Sequence, residues 1–234
     1  VSTMIKTWAI RLSVALNLLA VFAALALWQN PSGSLVALME KGHVRRISFF
    51  DSFPVNPTDV VFLGDSITQA GEWAELFPDL AVKNRGIGGD TTSGLLERLH
   101  QVSSGQPSAV FINIGTNDLT HGPEQRRISY LQYQEIVVTV QKESPSTRIY
   151  LQSLLPRSSH FRAEVEAFND EIQRLAEEVG VTYIDLYTHF LQSDGSIADN
   201  NSNDELHLNG EGYVLWQSLL QPYLLPGRPG IQAQ

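Results

Sequence analysis

Four short clusters hold the residues able to do chemistry. Gly64-Asp65-Ser66-Ile67 directly follows a short apolar run, Val60 to Leu63. The second cluster, Asn84-Arg85-Gly86-Ile87-Gly88-Gly89-Asp90-Thr91-Thr92, is rich in glycine; the third is Gly115-Thr116-Asn117-Asp118 and the fourth Asp204-Glu205-Leu206-His207. A serine hydroxyl becomes a nucleophile when an adjacent base takes its proton. A carboxylate three residues before an imidazole can fold back, hold one ring nitrogen and leave the other free as that base. The chain has six histidines, at 43, 100, 121, 160, 189 and 207. Only His207 has an acidic residue at that spacing together with a following turn and helix, Asn209 to Tyr213. An asparagine amide can donate to a developing oxyanion. A glycine-rich turn that opens a helix brings backbone N–H groups and a partial positive charge toward a ligand.

Each cluster also has a plainer reading. Ser66 could be a helix cap or a turn residue, Asp90 or Thr91 a helix cap, Asn117 a turn former. The surroundings of Ser66 are not Gly-x-Ser-x-Gly, which excludes the nucleophile elbow of α/β-hydrolases. A dinucleotide fingerprint would need glycine where Thr91 stands. Taken singly the clusters are modest signals; in this order they are strong.

The elements that must position them alternate. Val60–Leu63 and Ala109–Ile112 are continuous apolar runs, and residues 80–82, 148–151 and 181–184 are further strand candidates, as expected of a parallel sheet covered on both faces. Phe161, Val165, Phe168, Ile172, Leu175 and Val179 recur at helical spacing and stop at Gly180. Residues 94–100, 125–140 and 211–220 read as shorter or weaker helices. The first three clusters fall at strand ends, where open parallel sheets bind ligands. An α/β three-layer domain over about residues 58–225 follows, with a linker and lead-in helix over 31–57 and a loose tail over 226–234.

All four clusters resemble the blocks of the SGNH (GDSL) hydrolase superfamily. The chain is similar in particular to the platelet-activating-factor acetylhydrolase catalytic subunits and bacterial GDSL-type esterases. They share the Gly86–Asp90 turn, the Leu154-Leu155-Pro156-Arg157 segment, and Asp194–Ile197 ahead of Asp204–Leu208. The resemblance implies a flavodoxin-like domain with a five-stranded parallel sheet. It also implies a serine esterase in which Ser66 is the nucleophile, His207 the base and Asp204 its orienting partner. The backbone N–H of Ser66, that of Gly89 (or Gly88 if the register slips) and the side chain of Asn117 would form the oxyanion hole. No metal or organic cofactor is called for. Activity should fall on the acid side near neutrality, since the base must be neutral to act. An acyltransferase and a non-catalytic, membrane-tethered binding module are the alternatives. Arg157 could meet a substrate phosphate or carboxylate, or be an ordinary surface arginine.

Composition bounds the partners. Sixteen basic and 25 acidic residues give a net charge of −9, which repels nucleic acid on average, and the chain has no cysteine, so disulfides, thiolate metal sites and a cysteine nucleophile are excluded. From Leu12 to Trp28 the chain is apolar apart from Ser13 and Asn17. Trp8 and Trp28 would lie about 30 Å apart on a helix, the thickness of a bilayer core. A hydrophobic helix over residues 1–30 is expected, as a signal anchor or a cleaved signal peptide, with Ala24-Leu25-Ala26 resembling a cleavage site. A helix packed on the domain is the third reading. A membrane-anchored or exported protein with its domain outside the cytoplasm, acting on an ester of a lipid, a glycan or a small molecule, is the resulting expectation. Oligomeric state is left open.

Overall fold

The computed structural model describes residues 31–120 and 122–224, together with Leu16 and Leu19. Five strands form one parallel sheet: β1 (Val60–Gly64), β2 (Val82–Gly86), β3 (Ala109–Asn113), β4 (Arg148–Gln152) and β5 (Thr182–Ile184), in the order β2-β1-β3-β4-β5. This order puts the switch point between β1 and β3, the place where open parallel sheets bind ligands at their carboxyl edge. β1 and β3 are buried along their whole length, which accounts for their continuous apolar runs. The second strand begins at Val82, later than the expected 80–82 segment, and runs through Lys83, Asn84 and Arg85. It is an edge strand in which Val82, Lys83 and Asn84 are only partly covered and the buried Arg85 is charged, so apolar content alone does not mark it.

Nine α-helices are described: α1 (Pro31–Ser52), α2 (Ser66–Ala70), α3 (Trp73–Leu76), α4 (Thr92–Glu97), α5 (His100–Ser103), α6 (Pro123–Glu143), α7 (Arg162–Val179), α8 (Tyr187–Phe190) and α9 (Gly210–Leu224). Alternate strand residues divide the core into two layers. Val61, Leu63, Val110 and Ile112 pack with Ile136 and Val140 of α6 and Val165, Ile172 and Leu175 of α7. Phe62, Phe111 and Tyr150 face the other way, with Trp73 of α3 and Trp216 of α9. There Phe62 stacks on Trp73 at 3.8 Å and Phe111 on Tyr150 at 4.3 Å between centroids. Such pairs add about 0.5–1.5 kcal/mol each beyond the area they bury. α7 ends at Gly180, which adopts the left-handed conformation expected of a helix stop.

The chain divides into two compact units, Val1–Val44 and Arg45–Gln234. Within the linker and lead-in helix expected over 31–57, Pro31 to Ser34 are already helical and belong to α1. Proline is tolerated in a first helical turn, where the N–H it lacks has no partner to lose. The apolar helix expected over residues 1–30 lies outside the described residues except for Leu16 and Leu19, which are helical and exposed. Among the described residues no helix is long and apolar enough to cross a membrane. The tail over 226–234 also lies outside them.

Candidate active site

Ser66 opens α2 immediately beyond β1. Asp65, fully buried, caps this helix by accepting from the Ile67 amide at 3.0 Å, so the hydroxyl-bearing residue sits in the first turn with its own amide free of intrahelical bonding. The plain capping role therefore belongs to Asp65 and leaves Ser66 uncommitted to it. Burial, partly countered by the Ile67 amide bond, lifts the Asp65 carboxyl to about 7; Asp90 and Asp118 push the same way and His207 against.

The fourth cluster meets this helix from the far end of the chain. Ser66 Oγ lies 3.0 Å from His207 Nε2, and His207 Nδ1 lies 2.7 Å from Asp204 Oδ2. A carboxylate only accepts, so Nδ1 carries the proton and Nε2 is left to accept from the serine hydroxyl. The turn that makes this possible is local. The other Asp204 oxygen accepts from the Leu206 and His207 amides at 3.0 and 2.7 Å, and Glu205 takes a positive φ of 60° to close it. Partial burial alone would raise the Asp204 pKa, but hydrogen bonds from the His207 ring and amide and from the Leu206 amide outweigh it and hold the carboxyl at about 2. Asn209 caps the start of α9 by accepting from Gly212 at 3.0 Å, and Tyr213 Oη on that helix donates to Ile67 O at 2.7 Å. The imidazole is thus held beside α2 by a capped helix that is itself bonded to α2.

The second and third clusters sit at the ends of β2 and β3. Gly89 has φ of +77°, a conformation that side chains disfavour, and its amide has no acceptor among the described residues. Gly88 is close to Ser66, since a Cβ there would lie 3.9 Å from Ser66 Cβ. Its amide, however, donates to Gln69 Oε1 at 2.6 Å. The geometry therefore favours Gly89 over Gly88 as a donor to a ligand. Asn117 Nδ2 donates to the Asp90 carbonyl at 2.8 Å. That bond uses one of its two hydrogens and fixes the plane of the amide. Thr91 caps α4 through the Gly94 amide, and Thr92 Oγ1 bonds Asp118 at 2.7 Å, joining the two loops below the surface.

Two features escaped sequence reading. Gln69 is one, because a surface glutamine carries no motif. The buried pair of Asp90 and Arg98 is another: Asp90 read as a possible cap, and nothing in the spacing marks Arg98 as its partner. Arg157 was expected either to meet a substrate phosphate or carboxylate or to be a surface arginine. Instead of facing outward it donates to Thr116 O at 2.9 Å and lies 3.9 Å over the Phe161 ring. A cleft of about 340 Å³ between α6 and α7, lined by Arg126, Tyr130 and Phe168, contains none of the four clusters.

The model of the GDSL-like lipase/acylhydrolase family matches residues 62–215. The chain belongs to this family, and so to the SGNH hydrolase superfamily. The rat platelet-activating factor acetylhydrolase IB subunit alpha1 is 32% identical over 201 residues, covering 80% of this chain and 85% of the relative. A solved Streptococcus pneumoniae protein, provisionally described as a platelet activating factor, is 27% identical with a TM-score of 0.72, over 86% of this chain and 99% of the other. A GDSL-like lipase from Bacteroides thetaiotaomicron, 20% identical over 78% of this chain and 96% of its own, shares the fold at a TM-score of 0.70.

Proposed function

We propose that this acylhydrolase-family chain cleaves carboxylic esters through a covalent acyl-enzyme, with Ser66 as nucleophile, His207 as general base and Asp204 as its orienting partner. The observation that carries the reading is the unbroken hydrogen-bonded line from Ser66 Oγ through His207 to Asp204. His207 Nε2 takes the hydroxyl proton as the oxygen bonds to the ester carbonyl carbon. The carbonyl oxygen becomes an oxyanion beside the Ser66 and Gly89 amides and the free hydrogen of Asn117 Nδ2. His207 then returns the proton to the leaving alcohol, and water attacks the acyl-enzyme by the same route in reverse. Asp204, held at about 2, stays ionised at neutral and mildly acid pH and so keeps accepting from the imidazole Nδ1–H.

The acyl group proposed is short. The mammalian relatives are named acetylhydrolases of a platelet-activating factor, which favours an acetyl ester, with a lysophospholipid or a glycan hydroxyl as the candidate alcohol. The apolar segment from Leu12 to Trp28 supports a membrane tether with the hydrolase domain outside the cytoplasm, near such substrates. A panel of esters from acetyl to dodecanoyl tests the reading. Wild type should release acid and alcohol fastest from the shortest acyl groups, and Ser66→Ala should release neither. Equal turnover by Ser66→Ala would end the proposal; transfer of the acyl group to an added sugar or lipid alcohol, with little free acid, would make the chain a transferase. Resistance of the full chain to carbonate extraction from membranes tests the tether, and release into the wash would remove it.

A further inference from the structure

The loop that carries Gly89 is gripped from two directions by arginines. On its inner side stands Arg98, whose side chain and that of Asp90 are each 2% exposed. Arg98 Nε donates to Asp90 Oδ2 at 2.8 Å, and Nη2 both lies 2.7 Å from the same oxygen and donates to the Gly64 carbonyl at 3.0 Å. Gly64 is two residues ahead of Ser66, Asp90 directly follows Gly89, and the Asp90 carbonyl receives the Asn117 amide. One guanidinium therefore fixes the backbone before Ser66, the loop of Gly89 and, through Asp90, the plane of Asn117 relative to one another. Room for the Asp90 carboxylate exists because residue 94 is glycine: a Cβ there would stand 2.1 Å from Asp90 Oδ1.

On the outer side the last turns of α1 supply Arg46. Its Nε and Nη2 donate to the Gly86 carbonyl at 3.2 and 3.0 Å, at the root of the same loop. Nη2 also reaches Asn84 Oδ1 at 3.4 Å, an oxygen that accepts from the Gly86 amide at 2.9 Å. Phe50, buried one turn further along α1, spaces the cations: the guanidinium carbons of Arg46, Arg85 and Arg98 lie 4.7, 4.6 and 5.8 Å from its centroid.

We propose that Arg98 and Arg46 are positioning residues that hold the Gly86–Asp90 loop where the Gly89 amide meets the oxyanion, which makes the end of α1 part of the machinery of the hydrolase unit. The inference rests on the acyl-transfer reading of the site. An oxyanion donor works only at its correct distance, and a displacement of about 1 Å is enough to lose about 100-fold in rate. An arginine fork can bridge two acceptors in a fixed plane, whereas a lysine ammonium holds one charge partner without that geometry.

The test compares Arg98→Lys, Arg46→Met and Arg46→Lys with wild type in the full chain, by steady-state ester hydrolysis, thermal melting and inhibition by a short alkyl boronic acid. The boronate adds to the serine and places a tetrahedral oxygen among the donors, so its affinity reports the hole and not the ground state. Arg46→Met keeps the aliphatic stem over Phe50 and removes only the donors to Gly86, which guards against loss of fold at Arg98. The expected result is a fall in kcat of about 100-fold in Arg98→Lys and about 10-fold in Arg46→Met, with KM within twofold. Arg46→Lys should recover part of the loss, and the boronate inhibition constant should rise in proportion to the fall in kcat/KM. Folded variants with wild-type kcat, or losses that appear in KM or follow the melting temperature while boronate affinity per folded molecule is unchanged, overturn the inference. Wild type that neither turns over esters nor binds the boronate removes the acyl-transfer reading itself, and the inference with it.

Discussion

The two halves of the candidate site are built in opposite ways. The half around Ser66 grows out of the sheet: β1 and β3 are fully buried, Asp65 is 0% exposed, and the loops after β1, β2 and β3 are joined by Arg98, Asp90 and Asp118 below the surface. The half around His207 is a surface turn closed on itself by Asp204, with side-chain exposures of 42% for His207 and 49% for Asp204. Ser66, Gly89 and Asn117 thus inherit their positions from the fold, and His207 gets its position from the four-residue turn Asp204–His207 and a capped helix. Sites that must keep several backbone donors in register need the rigid half. A single ring that has to give and take a proton tolerates the exposed one.

This contrast can be broken from either side, and the effects should rank. Removing the attacking oxygen in Ser66→Ala should reduce ester turnover by on the order of 10⁵–10⁶-fold with an unchanged melting temperature, since the residue is a half-buried first-turn position. Activity within tenfold of wild type would put the nucleophile elsewhere. On the exposed side, Asp204→Asn leaves the ring in place but no longer fixes the proton on Nδ1. A fall in kcat of on the order of 10³–10⁴-fold is expected, together with little change in stability. A large loss of stability would instead mean that the turn is a structural latch. Asn117→Ala removes one donor from the rigid half and should cost about 10²–10³-fold in kcat with KM preserved. A rise in KM alone would make Asn117 a substrate contact.

The smallest effect concerns stability alone. Asp65 is held at about 7 in the fold against about 3.9 in an unfolded chain. The folded molecule therefore binds this proton more tightly, and the stability it contributes is present at acid pH and lost as pH rises from about 4 to about 7. Asp65→Asn keeps a capping oxygen for α2 and abolishes the titration. Its unfolding free energy, read from urea titrations, should gain on that of wild type between pH 4 and pH 8 by on the order of 4 kcal/mol. Parallel pH profiles for the two proteins would show that Asp65 is ionised throughout.

The same contrast decides what could be read from the amino acids alone. Ser66 and the pair of Asp204 and His207 are visible as local words: a serine at a strand end, a carboxylate three residues ahead of an imidazole. The sheet is visible because β1 and β3 are unbroken apolar runs, and α7 because its period and its terminal Gly180 agree. The edge strand β2 was displaced in the reading, because Lys83, Asn84 and Arg85 do not look like strand interior. The ties that lock the rigid half were invisible. Arg98 meets Gly64 across 34 residues and Arg46 meets Gly86 across 40, separations that no local pattern encodes. Pro31 to Ser34 carried loop composition yet are helical, since propensity is a weak prior beside the helix that follows.

The central claim is that the hydroxyl of Ser66, activated by His207, forms the covalent intermediate. Labelling with a fluorophosphonate, followed by proteolysis and mass measurement of the peptides, addresses it most directly. One adduct, on the peptide that contains Ser66, is the predicted outcome, and His207→Ala should slow its formation by several orders of magnitude. Ester-hydrolysing protein that is unlabelled at Ser66, or equal labelling with and without the imidazole, would contradict the account.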